Sequence, residues 1–210
     1  MPKEYLKPGE DIESLSGVKE TPPWEKLDRV ELAALEIFAS LGYNASSVSL
    51  IAKKAGITKS TVYAHCESKA ELFQNLLEPV LERELFLLQT VLQSPGTDDP
   101  LGSYLQSFQK RYWETPPFLF FFLRAVYTPP VALKTQVKQL SEHFFEKTEG
   151  IVSSVLKQQG IRAENLPELS RIYISLLDSV QVSALYCPQL LPLRISDLGK
   201  VFAFLCPQNS

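Results

Sequence analysis

Residues 42–72 read GYNASSVSLIAKKAGITKSTVYAHCESKAEL, and this stretch decides the fold. It contains two short helix-compatible segments on either side of Gly56. The first follows Ser47, and the second follows Thr58 and covers residues 59–65. Serine and threonine are favoured N-cap residues, and glycine is the usual residue after a helix C-terminus. Two short helices joined by so short a turn have the dimensions of a helix-turn-helix.

The second of these helices has the composition of a DNA-recognition helix. It is short enough to lie in a major groove with its N-terminal residues facing base edges. Val62 is expected to point the other way and to anchor the helix to the core. The side chains that offer donors, acceptors or an aromatic face are Lys59, Ser60, Thr61, Tyr63 and His65.

The charge of the chain is unevenly distributed. The whole sequence of 210 residues has a net charge of −3, which by itself argues against a nucleic-acid partner. From Gly42 to Ala70, however, there are four lysines and one acid, Glu67, a net charge of +3. A small DNA-reading module on a neutral or acidic body would show this distribution.

Residues 29–72 resemble the DNA-binding domain of the TetR family. The resemblance implies an N-terminal three-helix domain with a helix-turn-helix, followed by a helical ligand-binding and dimerisation domain. The matching motifs, in chain order, are AALEIF at 33–38, GY at 42–43, SSV at 46–48, IA at 51–52, AGITKSTVY at 55–63 and SKAEL at 68–72.

The resemblance also implies roles for individual residues. Tyr63 matches the family's phosphate-binding tyrosine, and Lys69 its phosphate-binding lysine at the start of the fourth helix. Helix N-termini and lysines both favour phosphate, so the second role is physically reasonable. The other expected DNA-binding residues are Ser47, Ser49, Lys59, Ser60, Thr61, Ala64 and His65.

Two positions depart from the family's pattern. Cys66 stands where the family usually has phenylalanine, which leaves the junction with the fourth helix less filled. We expect Cys66 to be a small core residue rather than a redox switch. Ser49 stands where the family often has a charged residue, and this weakens the expectation of strong base readout there.

The remainder of the chain also reads as helices, so we expect an all-α fold. Apolar residues recur at helical spacing, and hairpin signals such as Asn-Gly are absent. Thr21 followed by two prolines looks like the start of the first helix, which would end at Gly42. The expected domains are a flexible tail over 1–20, a DNA-binding domain over 21–72 and a helical regulatory domain over 73–210. Later helices are expected over about 68–92, 101–113, 116–127, 129–159, 167–186 and 195–205.

Aromatic residues are concentrated between residues 104 and 127. The segment 116–127 is apolar on nearly all faces, so as a helix it must be buried all round. It could be a central core helix only, or it could also line a cavity, because small-molecule sites are mostly apolar. Family members bind inducers between the corresponding helices, which favours the second reading. The expected ligand-binding residues are Phe108, Tyr112, Trp113, Phe118, Phe121, Phe122 and Tyr127.

The last two helices have features of an association surface. Ser175, Ser179 and Ser183 repeat every four residues and would let a neighbouring helix approach closely. Ile172 and Val182 flank that line with apolar surface. Internal packing is the alternative, but the resemblance implies a homodimer formed through these two helices.

The sequence gives no sign of an enzyme, a cofactor or a metal site. It has two histidines and no recognisable catalytic spacing, metal-ligand cluster or phosphate-binding glycine loop. Three cysteines without a CxxC pair fit a reducing cytoplasm. The N-terminus lacks a signal-peptide pattern, and the longest apolar run, Phe118 to Leu123, is too short to span a bilayer. We therefore expect a cytoplasmic protein without a membrane partner.

The favoured hypothesis is an inducer-gated repressor. A dimer would place two recognition helices on a palindromic operator in double-stranded DNA, and a small apolar or aromatic ligand would release it. The alternative is a helical small-molecule-binding protein that has lost DNA binding. The positively charged stretch and the intact recognition helix speak against that alternative.

Overall fold

The computed structural model describes residues 23–94, 99–114 and 116–205, and these residues contain helices and no strand. The all-α prediction is confirmed. The expected tail over 1–20 and the expected cap at Thr21 lie outside the described residues. The nine α-helices of the described residues are α1 (Arg29–Ala45), α2 (Val48–Ala55), α3 (Lys59–His65), α4 (Lys69–Leu92), α5 (Pro100–Glu114), α6 (Pro116–Tyr127), α7 (Lys134–Gln158), α8 (Leu166–Tyr186) and α9 (Leu191–Leu205).

The first helix begins later than the sequence predicted. α1 starts at Arg29, and Asp28 is its N-cap. The Asp28 carboxylate accepts a hydrogen bond from the Glu31 N–H at 2.9 Å, and the Glu31 carboxylate accepts one from the Asp28 N–H at 2.8 Å. This reciprocal capping box satisfies two amide donors at the helix end. The upstream proline signal belongs instead to a separate 3₁₀ turn, Pro23–Glu25.

Two later boundaries also differ from the prediction. After the prolines at 129 and 130 the chain forms a 3₁₀ turn, Val131–Leu133, before α7 begins at Lys134. Pro129 is followed by Pro130, and a residue that precedes a proline is disfavoured in the α conformation. The helix therefore cannot start at Pro129. The last helix begins at Leu191, four residues before the predicted start, because Pro192 is well tolerated in a first turn.

An aromatic cluster joins the N-terminal helices to the rest of the fold. We call Phe38 of α1, Phe73 of α4 and Phe121 of α6 the aromatic junction. The ring centroids of Phe38 and Phe73 are 5.3 Å apart, and those of Phe73 and Phe121 are 5.0 Å apart. All three side chains are buried, and α1 packs along α6. The N-terminal helices are therefore fixed to the larger helical half by a shared core.

Hydropathy along the helices is also informative. No single helix among the described residues combines the length and the apolar character needed to cross a membrane. The segments Pro116–Tyr127 and Val131–Gln158 meet that test only as a pair, and they are bent by 76° at the break between them.

We expect Asp28→Ala to lower the free energy of unfolding by about 1 kcal/mol, because it removes the N-cap of α1. Urea denaturation at fixed protein concentration measures this change. Glu78→Ala is the matched control, since Glu78 is an exposed acid in the middle of α4 and caps nothing. Equal stability of the two variants would contradict the capping assignment.

Candidate DNA-binding site

The turn between α2 and α3 has the backbone that a helix-turn-helix needs. Gly56 has φ 66° and ψ 34°, in the left-handed region, and its N–H donates to the carbonyls of Ala52 and Lys53. The Ile57 N–H donates to the Ala52 carbonyl at 3.0 Å. These bonds satisfy carbonyls at the C-terminus of α2, and glycine reaches this conformation without a steric cost.

Side-chain caps begin both helices of the motif, as predicted. The Ser47 hydroxyl accepts from the Leu50 N–H at 3.3 Å at the start of α2. The Thr58 hydroxyl accepts from the Thr61 N–H at 3.2 Å at the start of α3, and it lies 2.7 Å from the Ser60 hydroxyl. Because these caps are local, they fix the beginning of each helix independently of the rest of the fold.

The recognition helix α3 is anchored on one side and exposed on the other. Val62 is fully buried in the core of the three-helix unit, whereas the Tyr63 side chain is 53% exposed. The predicted DNA-binding residues on this helix therefore lie together on an outward face. These exposed residues are Lys59, Ser60, Thr61, Tyr63, Ala64 and His65. On α2, Ser49 is exposed and Ser47 is half-buried.

The structure gives Lys69 an internal role. Its ammonium group donates to the carbonyls of Tyr43 at 2.7 Å and Ser46 at 3.0 Å, and it lies 4.0 Å from the centroid of the Tyr43 ring. Burial lowers the pKa of Lys69. An ammonium group has three N–H donors, so these contacts leave capacity for a phosphate oxygen. The phosphate role of Lys69 stays a prediction, while its role in tying α4 to the end of α1 is visible.

A contact that the sequence did not reveal ties the recognition helix to α1. His65 Nδ1 lies 3.1 Å from the Asp28 carboxylate, which also caps α1. The two residues are far apart in the chain, and neither belongs to a motif that pairs them. His65 is thus both an outward-facing candidate for DNA contact and a partner of the α1 N-cap.

Cys66, the departure from the family's pattern, is buried at the end of α3. Its thiol donates to the Val62 carbonyl at 3.5 Å. Burial, and next the nearby Glu71 carboxylate, raise the pKa of the thiol above its ordinary value. A buried thiol with a raised pKa is unreactive, in keeping with a small core residue.

The predicted ligand-binding aromatics lie in different surroundings, and their ligand role stays a prediction. Trp113 is 65% exposed, and Phe121 belongs to the aromatic junction. The Tyr127 hydroxyl donates to Asp178 and to Gln181 of α8. Neighbouring helices fill the space around the apolar face of α6, as a core helix requires. The remaining four residues are buried in the core: Phe108, Tyr112, Phe118 and Phe122.

Charged groups lie in the core of the helical half, where the sequence indicated aromatic packing. Glu84 of α4 is 1% exposed, and its two carboxylate oxygens accept hydrogen bonds from Arg83 and Arg111. Burial lowers the pKa of Arg83. Burial also opposes the charge of Arg111, but Glu84 and Tyr104 beside it favour that charge, so the net direction of the Arg111 pKa is upward.

Metal-binding chemistry has no candidate in the part of the chain that the structure describes. Within residues 23–94, 99–114 and 116–205, no group of three or more His, Cys, Asp or Glu side chains could hold a metal ion. The candidate site is the outward face of α3 and the start of α2, where the predicted residues are exposed.

The sequence of this site matches known regulators. Residues 32–76 match the family of bacterial regulatory proteins described as the tetR family. The chain is 37% identical over 57 residues to the transcriptional activator FasR of Mycolicibacterium smegmatis, covering 27% of this chain and 26% of that protein. It is 36% identical over 53 residues to the transcriptional repressor BepR of Brucella suis, covering 25% of each. The matched region thus spans about a quarter of the length of these relatives.

Solved structures resemble a larger part of the chain. A transcriptional regulator from Rhodococcus sp. superposes with a TM-score of 0.68 at 19% identity, covering 86% of this chain and 95% of that one. The regulator FadR from Bacillus subtilis, solved in complex with stearoyl-CoA, gives a TM-score of 0.62 at 16% identity, covering 87% and 98%. At these identities the comparison shows that the fold is shared.

We expect Gly56→Ala to lower the free energy of unfolding by about 1–2 kcal/mol, because an L-residue in the left-handed region carries that cost. An added Cβ would also lie 2.8 Å from the Arg29 guanidinium. Gly150→Ala is the control of opposite sign. Gly150 is an exposed residue inside α7 with open space around it, and alanine there should raise stability by about 0.5–1 kcal/mol. Urea denaturation of both variants measures these changes. An unchanged free energy of unfolding in Gly56→Ala would contradict the turn assignment.

Proposed function

We propose that this chain, which belongs to the tetR family of bacterial regulatory proteins, represses transcription by binding a palindromic operator as a homodimer. The observation that carries the proposal is the geometry of α3. Val62 fixes the helix to the core, and the polar side chains of residues 59–65 are exposed together on its outer face. Residues 21–72 would form the DNA-binding domain, and residues 73–210 the regulatory domain. Because the partner is operator DNA, we place the protein in the cytoplasm.

Two subunits would contact DNA through successive major grooves. In helix-turn-helix dimers the recognition helices lie about 34–36 Å apart, one turn of the duplex. Tyr63 and Lys59 would contact phosphates and base edges from the outer face of α3, and Ser49 would contact the backbone from α2. Phosphate contacts would set the register of the helix, and the base contacts would supply the sequence preference.

The homodimer would form through α8 and α9. Ile172 and Val182 of α8 and Val201 of α9 are large apolar side chains that the subunit leaves exposed. The Ser175 hydroxyl donates to the Arg171 carbonyl of its own helix at 2.8 Å, so its polar group needs no outside partner. This surface consists of exposed apolar side chains and of small polar residues whose hydroxyl groups are hydrogen-bonded within their own helix. Such a surface suits close packing of a second copy.

A small molecule would relieve repression by binding the helical half. The FadR structure contains stearoyl-CoA, which supports a small-molecule ligand for this fold. The aromatic junction connects α6 with α1, and α4 runs without interruption from the DNA-binding half into the helical half. A ligand that binds better to one arrangement of these helices would shift the population between DNA-competent and DNA-incompetent states. We propose a binding function without catalysis.

We expect Tyr63→Phe to weaken operator binding at least about tenfold, because a hydrogen bond to a charged phosphate contributes roughly 1.5–3 kcal/mol. The operator is first selected from a random duplex library with the unmodified protein, and dissociation constants are then measured by fluorescence anisotropy. Trp113→Phe is the control, since Trp113 is an exposed aromatic residue near the end of α5, outside α2, α3 and the proposed dimer interface. If both variants bind as tightly as the unmodified protein, Tyr63 does not contact DNA.

We expect Ile172→Asp to weaken dimerisation at least about tenfold, because it places a charge in an apolar interface. Sedimentation velocity over a range of protein concentrations measures the dissociation constant. Val131→Asp is the control, since Val131 is 88% exposed in the turn before α7 and lies outside the proposed interface. A dimer that tolerates Ile172→Asp as well as Val131→Asp would show that α8 is not the interface.

A further inference from the structure

A pocket lies at the surface where the N-terminal helices meet the helical half, and we call it the junction pocket. Its walls are the aromatic junction, residues 41–45 at the end of α1, Arg124 of α6 and residues 128–131 after that helix. Its volume of about 290 Å³ is close to the lower end of the range for small-molecule sites. None of its described lining residues belongs to α5, α7, α8 or α9, so the pocket is not the interior of the helical half.

The backbone at two helix ends shapes the junction pocket. Gly42 interrupts the helical backbone of α1, with φ 74° and ψ 169°. Beyond α6, Pro130 has ψ 132°, so the chain is extended before the turn that leads to α7. The chain therefore leaves both helices in a non-helical direction beside the pocket, and the rings of Phe38, Phe73 and Phe121 form its apolar floor.

Arg124 supplies the charge of the junction pocket. Among the lining residues that the structure describes, it is the only charged one. Its side chain is half-buried, and its Nη1 would lie 3.1 Å from a Cβ added to Gly42. The Arg124 Nε–H is buried, and no acceptor within the described ranges of the chain binds it. None of the ion pairs formed by the described residues includes Arg124.

A purely structural role for Arg124 would be to bind the carbonyls at the ends of α1 and α6, where a cation is favoured. Those carbonyls have other donors. The Lys69 ammonium group donates to the Tyr43 carbonyl at 2.7 Å. The N–H and the hydroxyl of Thr128 each donate to the backbone carbonyl of Arg124 at 3.0 Å. The guanidinium group of Arg124 therefore remains available to an acceptor that enters the pocket.

We propose that the junction pocket binds a small arylcarboxylate. A carboxylate matches the planar guanidinium group, because its two oxygens can accept two parallel N–H donors. The aryl group would pack against the aromatic junction, where Phe73 and Phe121 have ring centroids 5.0 Å apart. Phe121 is one of the ligand-binding residues expected from the sequence. The single positive charge of the described wall favours an anion over a cation or a neutral molecule.

A ligand in the junction pocket would contact the end of α1 and the end of α6 at the same time. α1 packs against α2, and α2 packs against α3. An occupant that fits one relative position of α1 and α6 would therefore favour one orientation of the recognition helix. This consequence rests on the proposed function, whereas binding of the carboxylate itself does not.

The test uses three probes of similar shape and different charge: naphthalene-2-carboxylate, naphthalene-2-carboxamide and 2-naphthylmethylammonium. Isothermal titration calorimetry with the full chain and no DNA measures their binding at neutral pH. We expect saturable binding of the carboxylate, at least about tenfold tighter than that of either other probe. Arg124→Gln should abolish this preference. Arg162→Gln, at an exposed arginine between α7 and α8, should leave it unchanged.

Two further variants test the geometry and the position of the site. Arg124→Lys keeps the charge but loses the paired donors, so the carboxylate should bind about threefold or more weakly and still bind better than the carboxamide. Ala45→Trp fills the pocket from its exposed wall and should weaken carboxylate binding at least about tenfold. Gln158→Trp, at the exposed last residue of α7, is its control and should bind as the unmodified protein does.

Four results would overturn the proposal. They are equal binding of the three probes, no carboxylate binding up to about 10 mM, an undiminished preference in Arg124→Gln, and undiminished carboxylate binding in Ala45→Trp. A carboxylate bound elsewhere in the protein would keep its affinity in both of those variants. Because no DNA is present, failure here leaves operator binding untouched, and loss of operator binding leaves this result untouched.

Discussion

Contact among Phe38, Phe73 and Phe121 is the interaction on which the rest of the structure depends. These three rings come from α1, α4 and α6, and they bury the surface through which the helix-turn-helix meets the helical half. Each aromatic pair contributes about 0.5–1.5 kcal/mol beyond the burial of its area. The junction holds α1 in place, α1 packs against α2, and α2 packs against α3. The orientation of the recognition helix therefore depends on packing that lies well outside the DNA-binding motif.

Elements whose boundaries depend on local chemistry could be predicted from the sequence. Ser47, Thr58 and Ser68 each cap the helix that follows, and Gly56 ends α2 in the left-handed region, so the helix-turn-helix followed from neighbouring residues alone. The predicted start of α1 was wrong because two local signals for a helix N-terminus lie close together in the sequence. A threonine followed by prolines resembles a helix start, but the Asp28 capping box is reciprocal and begins the helix several residues later.

The candidate site likewise combines features that neighbouring residues determine with contacts between residues far apart in the chain. The outward face of α3 follows from the position of Val62 within a seven-residue helix. The contacts of Lys69 with the end of α1 and of His65 with Asp28 join residues far apart in the chain, and no spacing rule predicts them. The same reason explains why the ion pair of Glu84 with Arg111 could not be foreseen, since Arg111 lies on another helix. Sequence patterns identified the surface, and tertiary packing decides how each side chain is held.

The charged groups of the helical half give its core ion pairs in addition to aromatic packing. A core built only from the aromatic residues around α6 would gain stability from every ring it buries and would select ligands by size and shape. Here Arg83, Arg111 and Glu84 are buried within that core, and the half-buried Asp178 lies at its edge. Burial of such groups is costly unless each is paired. Glu84 is paired with Arg83 and Arg111, and Asp178 accepts a hydrogen bond from the Tyr127 hydroxyl. The hydrogen bond between Tyr127 and Asp178 lies at the end of α6, the helix that also packs against α1.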